Sequence, residues 1–176
     1  MTVYYMLSNF DLENICREYK VPLKGVFMKD ELLSMKQSDG NYIVNLQSTT
    51  DGNGSHWTAL IMRGKEAFFF DSFGAPPSVE IIKFIKKKRG VRLAFNNWII
   101  QDLKSDNCGY FCVALLIYIR NNLKKGISLM KVADDFIDGF GEDSKINDEL
   151  LKSFFVENTK GGSIRLIQRL IKEKHL

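Results

Sequence analysis

Four side chains suited to acyl transfer occur along this chain in the order His56, Asp71, Gln101 and Cys108. A cysteine nucleophile needs a base to take its proton, a group that orients that base, and donors for the oxyanion formed during attack on a carbonyl. The imidazole of His56 fits the first role and the carboxylate of Asp71 the second, fixing the tautomer and stabilising the imidazolium. The side-chain amide of Gln101 and the backbone N–H of Cys108 fit the third. Taken singly, each residue has a plainer reading: His56 as a surface residue in a Gly/Ser-rich loop, Asp71 as a turn-forming Asx residue, Gln101 as an ordinary polar side chain.

Cys108 draws attention through its setting. The polar run Gln101 to Asn107 ends at this thiol, and the apolar run Val113 to Ile119 follows with helical spacing. A helix beginning at Cys108 puts the sulfur among unpaired N–H groups at the positive end of the dipole, where a thiol is activated. Cys112 falls one turn deeper on the same face and reads as core packing. Gly109 is expected to leave room for a substrate backbone. Trp57, beside His56, is either core or a ring that shields or stacks on the imidazolium.

The remaining elements must deliver these groups. Trp57 to Met62 and Ala67 to Asp71 are apolar segments joined by Arg63-Gly64-Lys65-Glu66, the pattern of a β-hairpin. Such a hairpin sets His56 and Asp71 side by side at its open end. Upstream, Ser8 or Asn9 caps a helix with Leu12, Ile15, Cys16 and Tyr19 on its apolar face, ended near Pro22. Phe27 to Leu33 reads as a short helix or turn, Asn41 to Gln47 as a strand, and Ser48 to Ser55 as a loop. Downstream, Ser78 caps a helix from Val79 to Arg89, and Val91 to Ile100 reads as a strand. The central helix is expected from Cys108 to Leu123. Leu129 to Phe140 and Asp148 to Val156 follow as amphipathic helices, then one capped by Ser163 with Ile164, Ile167, Leu170 and Ile171. This order predicts an α+β fold: a small central, mainly antiparallel sheet flanked by helices, with the nucleophile at the N-terminus of a central helix.

The 176 residues suit a single domain spanning 1–176, and an apolar content of 45% excludes a disordered chain. Three cysteines at irregular separations and two histidines give neither a zinc pattern nor a disulfide framework, so reduced thiols, an intracellular setting and no metal are expected. No apolar run approaches a membrane span, and no signal-like segment opens the chain. The formal charge of +4 is unevenly placed, with Lys83, Lys86, Lys87, Lys88, Arg89 and Arg92 in one segment and Lys160, Arg165, Arg169, Lys172 and Lys174 in another. Such patches can hold DNA or form solvated helix faces.

His56-Trp57, then Asp71-Ser72-Phe73-Gly74, Gln101, and Cys108-Gly109-Tyr110-Phe111-Cys112 resemble the adenovirus protease (adenain) family and its relatives in virophages, large DNA viruses and Polinton-type elements. The resemblance runs from about Ser8 to Leu123. Adenain carries Glu where this chain has Asp71. The SUMO-specific proteases share the residue order more distantly; the seven-residue step from Gln101 to Cys108 and the Phe-Gly pair resemble the adenoviral type. The resemblance implies a papain-like or adenain-like cysteine protease fold and a monomeric endopeptidase cleaving capsid and other structural precursors, a late protein of particle maturation. Its setting would be the viral factory or nucleus and the virion. It implies no cofactor for the chemistry, with a short peptide or DNA as activator. Gly161-Gly162-Ser163 resembles the small-residue sites such enzymes cut, though a flexible linker capped by Ser163 fits the same residues. Two rival readings remain: an isopeptidase removing ubiquitin or SUMO-like modifiers through the same residues, and a non-catalytic module binding DNA or capsid through the basic patches.

Overall fold

A computed structural model of the chain describes residues 6–52 and 54–159; the expected Ser163 helix, the C-terminal basic patch and Gly161-Gly162 lie outside them. A five-stranded sheet runs in sequence order: β1 (Gly25–Met28), β2 (Gly40–Asn45), β3 (Trp57–Arg63), β4 (Glu66–Phe70) and β5 (Arg92–Phe95). The central pairs β2–β3 and β3–β4 are antiparallel, and the edge pairs β1–β2 and β4–β5 are parallel. The architecture is thus α+β with a helix-flanked central sheet, and the sheet is mixed because both edge strands return by crossovers. β1 falls where a short helix or turn was expected; only Glu31–Ser34 after it forms a 3-10 turn. β5 is shorter than the apolar pattern suggests, ending before Asn96.

β3 and β4 alternate between two cores with the period of two that a pleated strand imposes. Ala59, Ile61, Phe68 and Phe70 face one side, and Leu60, Met62, Ala67 and Phe69 face the other. Both faces are covered, which is why these strands read as continuous apolar runs. Full burial of Phe68, Phe69 and Phe70 contributes roughly 1.5–3 kcal/mol each. Helix α2 (Val79–Lys86) covers the second face, capped by the Ser78 hydroxyl, which accepts from the Ile81 N–H.

On the first face lies α3 (Cys108–Asn122), buried nearly all round, so its apolar residues follow no single stripe. Helices α1 (Asn9–Glu18), α4 (Leu129–Ile137) and α5 (Ser144–Thr159) surround it. α1 begins with a capping box in which Ser8 and Asp11 bond reciprocally. Among the described residues no helix is long and apolar enough to cross a membrane.

Candidate active site

The hairpin turn is the two-residue link Gly64-Lys65, where Gly64 takes a positive φ of 57°. That turn fixes the register with Ala59 opposite Phe70, which carries Asp71 to the level of Thr58; His56, two residues beyond Thr58 and just outside β3, lies diagonally across from it. His56 Nε2 lies 2.7 Å from Asp71 Oδ1, and the two residues are only 8% and 1% exposed. With Nε2 on the carboxylate, Nδ1 is the ring atom left for Cys108. Burial works against a charged His56 ring, but hydrogen bonds to Asp71 and Cys108, and their charges, outweigh it and raise the pKa from 6.5 to about 9.

Asp71 is at once the Asx turn residue and the partner of His56: its Oδ1 also accepts the Phe73 N–H at 2.8 Å. Its backbone is clamped by Asn96, whose Oδ1 accepts the Asp71 N–H at 3.1 Å while its Nδ2 donates to the Asp71 carbonyl at 2.5 Å. The turn then passes so close to Trp98 that a Cβ on Gly74 would lie 2.7 Å from backbone, and Gly74 holds a φ of 72°. The ring stacked on His56 is Phe73, with centroids 4.6 Å apart and planes 20° from parallel. Trp57 does not fill that place; its indole N–H donates to the Leu7 carbonyl at 2.7 Å, holding the segment before α1.

Cys108 opens α3 and is 3% exposed. The Trp57 N–H approaches its Sγ at 3.5 Å. Cys112 is fully buried, which pushes its thiol pKa well up, and its S–H approaches the Trp57 carbonyl at 3.5 Å. Gly109 departs from expectation: the space beside its Cα is filled by Leu7 and Leu12, whose side-chain atoms would lie 3.1–3.2 Å from a Cβ. Its small size admits Leu7 and α1 against α3.

Gln101 is fully buried. Its Oε1 accepts from the Ser72 hydroxyl at 2.5 Å, which ties it to the residue beside Asp71. Its Nε2 donates to the Ser105 carbonyl at 2.7 Å and approaches the Ser105 hydroxyl at 3.1 Å. The N-cap of α3, Asn107, makes no side-chain capping bond to the helix. It donates instead to Asp148 on α5.

A cleft of about 480 Å³ lies beside the site, lined by Leu7, Phe27, Met28, Gly54 and Trp57 among others. Among the described residues no cluster of His, Cys, Asp or Glu could hold a metal ion. The expected DNA patch is partly spent on structure: Lys87 Nζ binds the carbonyls of Leu32, Leu33 and Met35, Lys88 pairs with Asp39 and Arg92 with Glu66. Lys83, Lys86 and Arg89 are exposed.

Asn96 and Asp148 were given no site role from the sequence, and Ser72 and Phe73 entered it only as part of the motif that begins at Asp71. Phe73 and Ser72 had a signal, being next to Asp71. Asn96 and Asp148 had none, because their partners lie 25 to 46 residues away.

No protein-family model and no curated protein sequence matches the chain. Among solved structures, it is similar to two crystal structures of the ASFV pS273R protease, one of them the selenomethionine form. The TM-score is 0.46 for each, with identities of 15% and 17%, over 73% of this chain. It spans 65% and 61% of the length of the chains in those two structures.

Proposed function

We propose that the protein is a cysteine endopeptidase with Cys108 as nucleophile, His56 as acid and base, and Asp71 as the orienting carboxylate. The observation that carries this reading is the buried 2.7 Å contact between His56 and Asp71 beside a thiol at the first position of a helix. A purely structural His–Asp pair has no need of a third, nucleophilic neighbour whose charge helps to hold the ring protonated.

In the proposed reaction the Cys108 thiolate attacks the scissile carbonyl carbon, forming a C–S bond while the π electrons move to oxygen. The oxyanion accepts from the Cys108 N–H and from Gln101 Nε2, whose longer contact to the Ser105 hydroxyl is the one to be exchanged. His56 gives its proton to the departing amine, leaving a thioester. Water, deprotonated by His56, then cleaves the thioester, releasing the acid and restoring Cys108. In this reading the substrate peptide would lie in the cleft lined by Gly54 and Trp57.

The proposed substrates are capsid and other structural precursors of a virus or virus-like element, cut in the infected cell and the maturing particle. Removal of ubiquitin-like modifiers uses the same residues and is the second reading. A DNA activator would bind chiefly through Lys83, Lys86 and Arg89. Co-expression with candidate precursors, comparing the wild type with Cys108→Ala and sequencing new termini, tests the assignment. The variant should lose about 10⁶-fold in turnover, as removal of a nucleophile from such a set does. Cleavage that survives Cys108→Ala overturns it; rapid labelling of Cys108 by a ubiquitin-like probe moves the assignment to the second reading.

A further inference from the structure

Asp148 lies in α5, 41 residues beyond Asn107, and is only 4% exposed. A carboxylate removed from water is costly unless its oxygens are bonded, so its partners indicate what it is for. Oδ1 accepts the backbone N–H of Asp102 at 2.9 Å, and Oδ2 accepts Nδ2 of Asn107 at 2.8 Å. These two partners immediately follow Gln101 and immediately precede Cys108. One carboxylate therefore clasps both ends of the loop joining the two oxyanion donors. The adjacent Asn147, fully buried, extends the grip by donating from Nδ2 to the carbonyl of Ile100 at 3.0 Å.

The bond to Asn107 has a second effect. Asparagine is among the best N-cap residues, because its Oδ1 can accept the N–H groups of the first helical turn. Here the side chain is engaged by Asp148 and makes no capping bond to α3. An oxyanion at Cys108 would look for the same class of donor that a capping side chain takes. We propose that Asp148 is a positioning residue for the oxyanion site: it holds the 102–107 loop at both ends and keeps Asn107 off the start of α3. This rests on the cysteine-protease reading and assigns no contact between Asp148 and substrate.

Two reagents separate this role from general stability and need no knowledge of the natural substrate. Iodoacetamide alkylates a reactive thiolate without forming an oxyanion. p-Nitrophenyl acetate acylates Cys108 through a tetrahedral intermediate that does form one. Asp148→Asn keeps the shape but turns an N–H₂ toward one of the two donors. It is expected to slow acylation roughly 10- to 100-fold, the scale of a misplaced catalytic group, with alkylation within about twofold of wild type. Asn107→Ala, which removes the other half of the clasp, should show the same split, and the double variant should be little worse than either alone.

Acylation of Asp148→Asn at the wild-type rate overturns the proposal, as does an equal slowing by both reagents with a lowered melting temperature. A wild-type enzyme that meets both reagents no faster than a free thiol defeats the protease reading and the proposal with it. Fast wild-type acylation that is indifferent to Asp148 defeats the proposal alone.

Discussion

The two halves of the site meet at Cys108 but are built by different means. His56 and Asp71 are brought together by backbone register: once Gly64-Lys65 turns and Ala59 faces Phe70, Asp71 comes level with Thr58 and His56 lies diagonally across from it. Gln101 and the loop to Asn107 have no such ladder. Beyond the Ile100 and Gln101 N–H groups that donate to the Ser72 carbonyl, they are held through side chains: the Gln101 amide between Ser72 and Ser105, and Asp148 and Asn147 at the ends of the loop. A half set by register should keep its geometry when one side chain is lost, whereas a half set by side chains should not.

The largest effect expected is on the registered half through its own chemistry. Asp71→Asn should lower turnover about 10⁴-fold by withdrawing the charge and the tautomer control from His56. It also makes a pH prediction. The folded pKa of His56 is raised from 6.5 to about 9, so the stabilisation it lends is full below about pH 6.5 and is lost as pH rises through about 9. Melting temperatures from about pH 6 to pH 10 should fall across that window in the wild type and flatten in Asp71→Asn. A slope unchanged by the substitution would mean that another group titrates there.

Gln101→Ala should cost roughly 10²–10³ in turnover, the loss of one oxyanion donor. Single-turnover kinetics on any cleaved peptide would show it, and normal rates would remove Gln101 from the chemistry. The smallest effect on activity is expected at Asn96, although it bonds the Asp71 backbone twice. Asn96→Ala should destabilise by about 1–3 kcal/mol in chemical denaturation by leaving those groups unsatisfied. Turnover should stay within about tenfold, because the strand ladder still sets His56 against Asp71. A loss at Asn96 as large as that at Gln101 would erase the distinction between the two halves.

The same difference explains what could be seen in the residues alone. The hairpin has a compositional signal, two continuous apolar runs about a Gly-containing turn, and the N-terminus of α3 has another, so His56, Asp71 and Cys108 stood out. β1 was obscured because Gly25 to Met28 is four residues long and half-buried, too short to show alternation. Asn96 and Asp148 look like any surface Asn or Asp until the fold brings their partners to them. Gly109 had the opposite difficulty: a glycine beside a nucleophile invites a substrate-based explanation, and only the fold shows that Leu7 and Leu12 pack beside it.

The two sulfurs of α3 both address one residue of β3, Cys108 through the Trp57 N–H and Cys112 through the Trp57 carbonyl. Helix and strand are thereby locked in a single rotational and axial setting, across 51 residues of intervening chain. The consequence is one of timing. A nascent or partly folded chain has a thiol without a base, and the base reaches it only when β3 has joined the sheet and α3 has docked. On the proposed function, cutting power arrives only once β3 and α3 have met, so this long-range packing must be in place before a molecule can act on any neighbour.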